Sequence, residues 1–185
     1  PLRAPAHAQR RTVAAFIALL AAGLSVLGLT PVPSASAADP TLSFVAANSS
    51  SGNRSSHTLQ LPAGIQAGDT LVLFMSTNSI SGTISTPAGW AQLQAKDGTA
   101  TRGRAWTKQA TAADNGATVT VTTSSTVKDT MSVAAYRSTG GTSSVTASAQ
   151  TAGTASSTSH ATPTVNVTDA GSWLVNSWTV KSSST

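Results

Sequence analysis

The 185-residue chain carries 11 Lys and Arg against six acidic residues, all of them Asp, and contains no cysteine. Arg3, Arg10 and Arg11 stand in a leader, which leaves eight basic side chains against six acidic, a net +2 with no basic run; phosphate-backbone binding therefore lacks electrostatic support, and nucleic acid is not an expected partner. Without cysteine there can be no thiolate zinc site, no thiol chemistry and no disulfide framework, so a secreted domain must be held by its core alone.

The leader is read over residues 1–38. Its three Arg form a positive n-region, Val13 to Leu29 is an Ala-rich apolar stretch, and "PVPSASAA" places small residues at Ala35 and Ala37. That order describes a secretory signal cleaved near Ala37 or Ala38 rather than a membrane anchor, because the apolar run falls short of the ~20 residues a span needs. No second apolar run follows, so no membrane span is expected in the mature chain, residues 39–185.

Beyond the leader the composition is that of an all-β protein. Glu is absent, Ser and Thr make up roughly a third of the chain, and Thr and Val favour a pleated surface. Period-two alternation recurs from one end to the other. In chain order the candidate strands are "LSFVAA", "HTLQL", "TLVLFMST", "GWAQLQA", "RGRAWTKQA", "ATVTVTT", "TMSVAAYR", "SVTASAQ", "PTVNVT" and "SWLVNSWT". "TLVLFMST", apolar at both parities, suits a central strand covered on both sides. Turn signals separate these runs, among them Pro62-Ala63-Gly64, Ala67-Gly68-Asp69, Pro87-Ala88-Gly89, Asp97-Gly98, Asp114-Asn115-Gly116, Gly140-Gly141 and Asp169-Ala170-Gly171. Thr139 to Thr162 is nearly pure Ser, Thr, Ala and Gly, and reads as an edge strand or a connection. About ten short strands at this spacing predict a two-sheet antiparallel sandwich of jelly-roll type.

One phrase is written twice. His57, Gly68 and Leu71-Val72 recur as His160, Gly171 and Leu174-Val175, each 103 positions on. Tandem domains would leave the second copy a stub, so a single domain with equivalent hairpins in its two halves is the preferred reading. Its last strands are expected to lie beyond "KSSST", making the module incomplete at its C-terminus.

The segments "AGDTLVLF", "TPAGWAQLQ", "RAWTKQATAADNGATVTVT" and "SVAAYRST" resemble secreted, mainly actinobacterial β-sandwich modules. Those modules stand near the N-termini of large surface proteins, ahead of PKD-type, fibronectin type III or laminin-G-like domains. The resemblance runs from about Ser43 to Ser184. It implies a jelly-roll-like fold, an extracellular setting and further domains of the same polypeptide as neighbours. It carries no catalytic residues with it.

Candidate chemistry is sparse. Hydrolysis by paired carboxylates needs two acids roughly 5 to 10 Å apart. Of Asp39, Asp69, Asp97, Asp114, Asp129 and Asp169, four stand in turn contexts where Asp is ordinarily structural. There is no GxSxG elbow, and His57 and His160 recur at equivalent places, which points to a structural role. As a metal pair, the two histidines lack an acidic companion. The loop "ADNGAT" offers Asp114, Asn115 and carbonyls to Ca²⁺, though an Asx-type turn closed by Gly116 accounts for the same residues. No other cofactor is suggested.

The strongest local argument for binding lies in "RGRAWTKQ". Alternation puts Arg102, Arg104, Trp106 and Lys108 on one face. Three unpaired cations do not sit in a core, so that face is expected to look outward, giving an exposed aromatic with flanking donors for a sugar ring. Gly103 argues the other way, since a strand Gly often marks a bulge that would return Trp106 inside. Trp90, Trp173 and Trp178 read as core or core-lid residues. The expectation from sequence is therefore a non-catalytic extracellular module that attaches to a polysaccharide or cell-surface glycan. A structural spacer and an accessory module of a glycan-degrading enzyme are the alternatives.

Overall fold

The computed structural model describes residues 41–153 and 157–181. The leader expected over residues 1–38, and Asp39, lie outside the described residues. Five strands form: β1 (Thr41–Gln60), β2 (Thr70–Thr77), β3 (Ala91–Asp97), β4 (Arg102–Gln109) and β5 (Thr118–Thr139), with one 3-10 turn at Ala112–Asp114. Every pairing is antiparallel, and hydrogen bonds join the strands into one sheet in the order β1-β5-β2-β4-β3. The expected all-β class is what forms. The ladders, however, make one five-stranded sheet rather than two separate ones.

β2 sits in the middle of that sheet because both of its faces are apolar. Leu71, Leu73, Met75 and Thr77 line one face with at most 3% of their surface exposed, and Val72 on the other is also buried. Gly68, just before β2, has φ +91°, and its counterpart Gly171 has φ +79°. A Cβ disfavours that left-handed region, which is why the turn signal is Gly in both copies.

β1 and β5 each merge two runs that read as separate strands. "LSFVAA" and "HTLQL" belong to β1, while "ATVTVTT" and "TMSVAAYR" belong to β5, joined through polar stretches that resemble turns. The joint bends sharply. Asn48 Nδ2 donates to Gln60 O at 3.0 Å and Ser50 Oγ to Thr58 O at 3.0 Å, so residues 12 and 8 apart meet within one strand. Straight strands would hold them about 40 and 26 Å apart at ~3.3 Å per residue. The register explains the bend: β5 sets residues 123–126 against the single residue Ser55, between the pairs Arg54–Val127 and Ser56–Thr122. The folded-over ends are extended by Ser85 N donating to Thr122 O (2.9 Å) and Ser124 N to Thr83 O (3.1 Å).

The core lies inside this fold. Leu59, Leu61, Val119 and Val121 from the folded ends pack with Leu71, Leu73 and Met75 of β2, Trp106 of β4, and Met131, Val133 and Ala135 of β5. Truncating a buried Leu or Met here to Ala is expected to cost about 2–5 kcal/mol.

The sheet's other face is covered by chain without ladder pairing. Ser143 O accepts from Thr70 Oγ1 (2.7 Å) and from Gln109 Nε2 (2.5 Å), and Ser148 O accepts from Gln94 Nε2 (3.1 Å). Further on, Trp173 stacks on Tyr136, and Thr179 meets Ser76 hydroxyl to hydroxyl. The runs "SVTASAQ", "PTVNVT" and "SWLVNSWT", expected as strands, join no ladder.

Candidate functional site

β4 alternates as its sequence requires, and the structure turns the predicted binding face inward. Leu73 pairs opposite Trp106, Met75 opposite Arg104 and Leu71 opposite Lys108, so Arg104, Trp106 and Lys108 share the core face of β2. Trp106 is 1% exposed, and its Nε1 donates to Thr86 Oγ1 at 3.3 Å. The expected outward platform of Trp106, Arg102, Arg104 and Lys108 does not form. No bulge was needed to bury Trp106, since the register between β2 and β4 runs unbroken past Gly103.

The physical reason is that the three cations are partnered at the rim of the core. Arg102 donates from Nη1 to Ser81 O (3.3 Å) and Gly82 O (2.5 Å) and from Nη2 to Ile80 O, and its Nε lies 3.3 Å from Asp97 Oδ2. Arg104 Nη1 reaches Asp97 Oδ1 at 2.7 Å, and Lys108 Nζ donates to Asp114 Oδ1 at 2.5 Å. Asp97, the last residue of β3, and Asp114, in the 3-10 turn after β4, flank the strand, so each end of it carries its own counter-charge. Desolvation in the buried turn works to raise the Asp114 carboxyl. The Lys108 ammonium and the Thr111 amide and hydroxyl outweigh it and hold the group below the usual carboxylate range.

The same contacts occupy the oxygens considered for Ca²⁺. Asp114 serves Lys108 and Thr111, while Asn115 Oδ1 accepts from Gly64 N at 2.8 Å. Among the described residues no three His, Cys, Asp or Glu side chains cluster closely enough to hold a metal. His57 and His160, equivalent in the repeat, differ in environment: His57 is buried and His160 exposed.

His57 instead joins a buried network that sequence reading missed. Its Nδ1 lies 2.7 Å from Asp129 Oδ1, a close approach without aligned hydrogen-bond geometry, and its Nε2 is 3.1 Å from Thr123 Oγ1. Hydroxyl, imidazole and carboxylate in that order are the components of a nucleophilic triad. Here the imidazole is 1% exposed, and the Thr123 hydroxyl donates to Ser125 O at 2.8 Å. Its place, bracing the bend where Ser55 faces residues 123–126, gives it a structural task.

A second carboxylate is fixed as firmly. Arg137 Nε donates to Asp69 Oδ1 (2.8 Å) and Nη2 to Asp69 Oδ2 (2.7 Å), a bidentate fork, and Nη2 also reaches Gly64 O (2.8 Å). Chiefly through the Arg137 hydrogen bonds, the Asp69 carboxyl is held below its ordinary value even though burial works to raise it.

An aromatic row is also accessible. Phe44 of β1 pairs across from Tyr136 of β5 on the outer face, with ring centroids 6.1 Å apart at 67°. Trp173 continues the row, 6.2 Å from Tyr136 at 77°. Phe44 and Trp173 are 54% and 52% exposed, while burial raises the Tyr136 hydroxyl above its ordinary value. Edge-to-face packing leaves ring faces open. Trp178, also read as a core residue, is 56% exposed; Trp90 alone of the three is buried. The signal for the row was the cross-strand position of Phe44 and Tyr136, which becomes legible only once β1 and β5 are known to pair.

Two depressions open to solvent, of about 290 and 240 Å³, flank Lys108, one beside Gln109 and Val145 and the other beside Trp90 and Asp114. Both fall below the usual size of a small-molecule pocket. No helix among the described residues is long and apolar enough to cross a membrane. No protein-family model matches the chain, and no curated protein or solved structure gives a match.

Proposed function

We propose that the chain is a non-catalytic extracellular β-sandwich module of a larger surface or secreted protein, attaching it to a polysaccharide or cell-surface glycan. The observation that carries this reading is the row Phe44–Tyr136–Trp173. Its rings stand edge to face on the outer side of the sheet, and two of them are more than half exposed. Contiguous exposed aromatic surface marks an interaction site, and rings that are rigid and half-wet suit a ligand with both apolar C–H faces and hydroxyls. The resemblance to secreted actinobacterial modules supports the setting. The jelly-roll-like sandwich is the finer form of the fold in this proposal, with the chain over the outer face as its second layer.

The test is co-sedimentation of the chain with a panel of insoluble polysaccharides. Trp173→Ala is expected to lose at least about tenfold in retention, the effect of removing one aromatic anchor from an interface. Retention equal to that of the parent chain would discard the row as the site. A structural spacer is the second reading, favoured by the small, open depressions beside Lys108. Failure of every polysaccharide in the panel would select it.

A further inference from the structure

We infer, resting on the glycan reading of the Phe44–Tyr136–Trp173 row, that the polysaccharide this row takes is uncharged and that anionic polymers are turned away. The row stands at one end of the sheet, and the Lys and Arg side chains that lack a carboxylate partner among the described residues stand at the other. Lys128 is eight residues from Tyr136 along β5, about 26 Å at ~3.3 Å per residue, and Arg54 pairs opposite Val127, one residue further still. Lys96 pairs opposite Gly103, Gly103 opposite Ser76 and Ser76 opposite Thr130, which is six residues, or about 20 Å, from the level of Tyr136. Lys181 lies two residues past Thr179, which meets that same Ser76.

Near the rings the charges are either neutralised or negative. Arg137 follows Tyr136 directly, but alternation sends it to the opposite face, where both carboxylate oxygens of Asp69 hold it. Asp169 is exposed and joins no ion pair among the described residues. Its carbonyl accepts from Ser172 N (3.4 Å) and Ser172 Oγ (2.8 Å), which ties it to the turn leading into Trp173. Aromatic faces are themselves negative, so they attract the C–H groups of a sugar ring and repel anions. A uronate, sulfate or phosphate seated on the row would give up its hydration with no cation to replace it, beside the Asp169 carboxylate. One exposed carboxylate, on a mature chain of net +2, is too little to select a cationic polymer.

The experiment is depletion of the full chain from solution by insoluble cellulose, chitin and mannan, each native and carboxymethylated, with Trp173→Ala run alongside. The quantity read is the retention that Trp173→Ala loses, which sets aside any polymer held by the distant lysines. The native polymer that retains the chain best should do so equally, within about twofold, at about 20 mM and about 500 mM NaCl, since no charge pair at the row is there to screen. Its carboxymethylated form should be retained at least about tenfold less, the effect of bringing an unpaired charge into the contact. Trp173-dependent retention of the carboxymethylated form equal to or above that of the native polymer, or retention of the native polymer that salt abolishes, would overturn the assignment to uncharged glycans and leave the glycan row standing. Absence of Trp173-dependent retention by every polymer would overturn both.

Discussion

Ser76 and Thr179 meet hydroxyl to hydroxyl on the outer face of the sheet, and they stand 103 positions apart, the spacing of the internal repeat. At the other end of the same segment, Trp173 packs on Tyr136, the cross-strand partner of Thr70, which is 103 positions before Trp173. The second copy of the phrase therefore runs alongside the first, parallel to β2 and in step with it. A repeat legible only as spacing in the sequence is a face-to-face relation in space.

That relation separates equivalent residues by environment. Leu71 is fully buried whereas Leu174 is 63% exposed. Leu71→Ala is expected to lose about 2–5 kcal/mol of stability, and Leu174→Ala less than about 0.5 kcal/mol. Urea unfolding of the two variants checks this; equal losses would show that position 174 is as enclosed as position 71.

Trp106 should behave as a core residue. Trp106→Ala is expected to cost about 3–5 kcal/mol through the cavity it leaves. Trp106→Phe should cost less, losing bulk and the bond to Thr86. Denaturant midpoints measure both.

β4 alternates as its sequence shows, but the face carrying Trp106 turns inward rather than outward. Arg102, Arg104 and Lys108 exclude a core only where they lack partners. Asp97 and Asp114 supply those partners, one at the end of β3 paired beside Arg102 and one in the 3-10 turn after β4. Strands β2, β3 and β4 were legible because apolar alternation and Gly turns bound them. The unity of β1 and of β5 was not, since "NSSSGNRSS" and "TSSTVKD" carry turn chemistry but lie in ribbon paired across the bend. Only long-range pairing reveals that, along with the approach of His57 to Asp129 and the aromatic row. Local pattern does not encode which distant strands will be neighbours.

The Asp69–Arg137 fork predicts how the fold responds to acid. Asp69 titrates lower in the folded chain than in the unfolded one, so its contribution is complete above the ordinary value of 3.8 and is lost as pH falls from there through the folded value. Asp69→Asn should lower stability at neutral pH by about 1.5–3 kcal/mol, the worth of charge-assisted hydrogen bonds, and flatten the acid limb below pH ~4. Thermal unfolding between pH 2 and pH 7 tests the sign: an unchanged acid limb would mean that another carboxylate governs it.

His57 should matter for folding and not for turnover. His57→Ala leaves Asp129, a residue only 7% exposed, without its partner and is expected to cost about 3–5 kcal/mol. Thermal denaturation reads that loss, and a panel of ester substrates should show no hydrolysis by the parent chain that the variant lacks.

The claim that the outer aromatic row meets a glycan is tested most directly by oxidising the four tryptophans with and without polysaccharide and locating the modified residues by mass spectrometry. Trp173 and Trp178 should oxidise first while Trp90 and Trp106 stay protected, and bound polysaccharide should shield Trp173. Oxidation of Trp173 at the same rate with the polysaccharide bound would contradict the account.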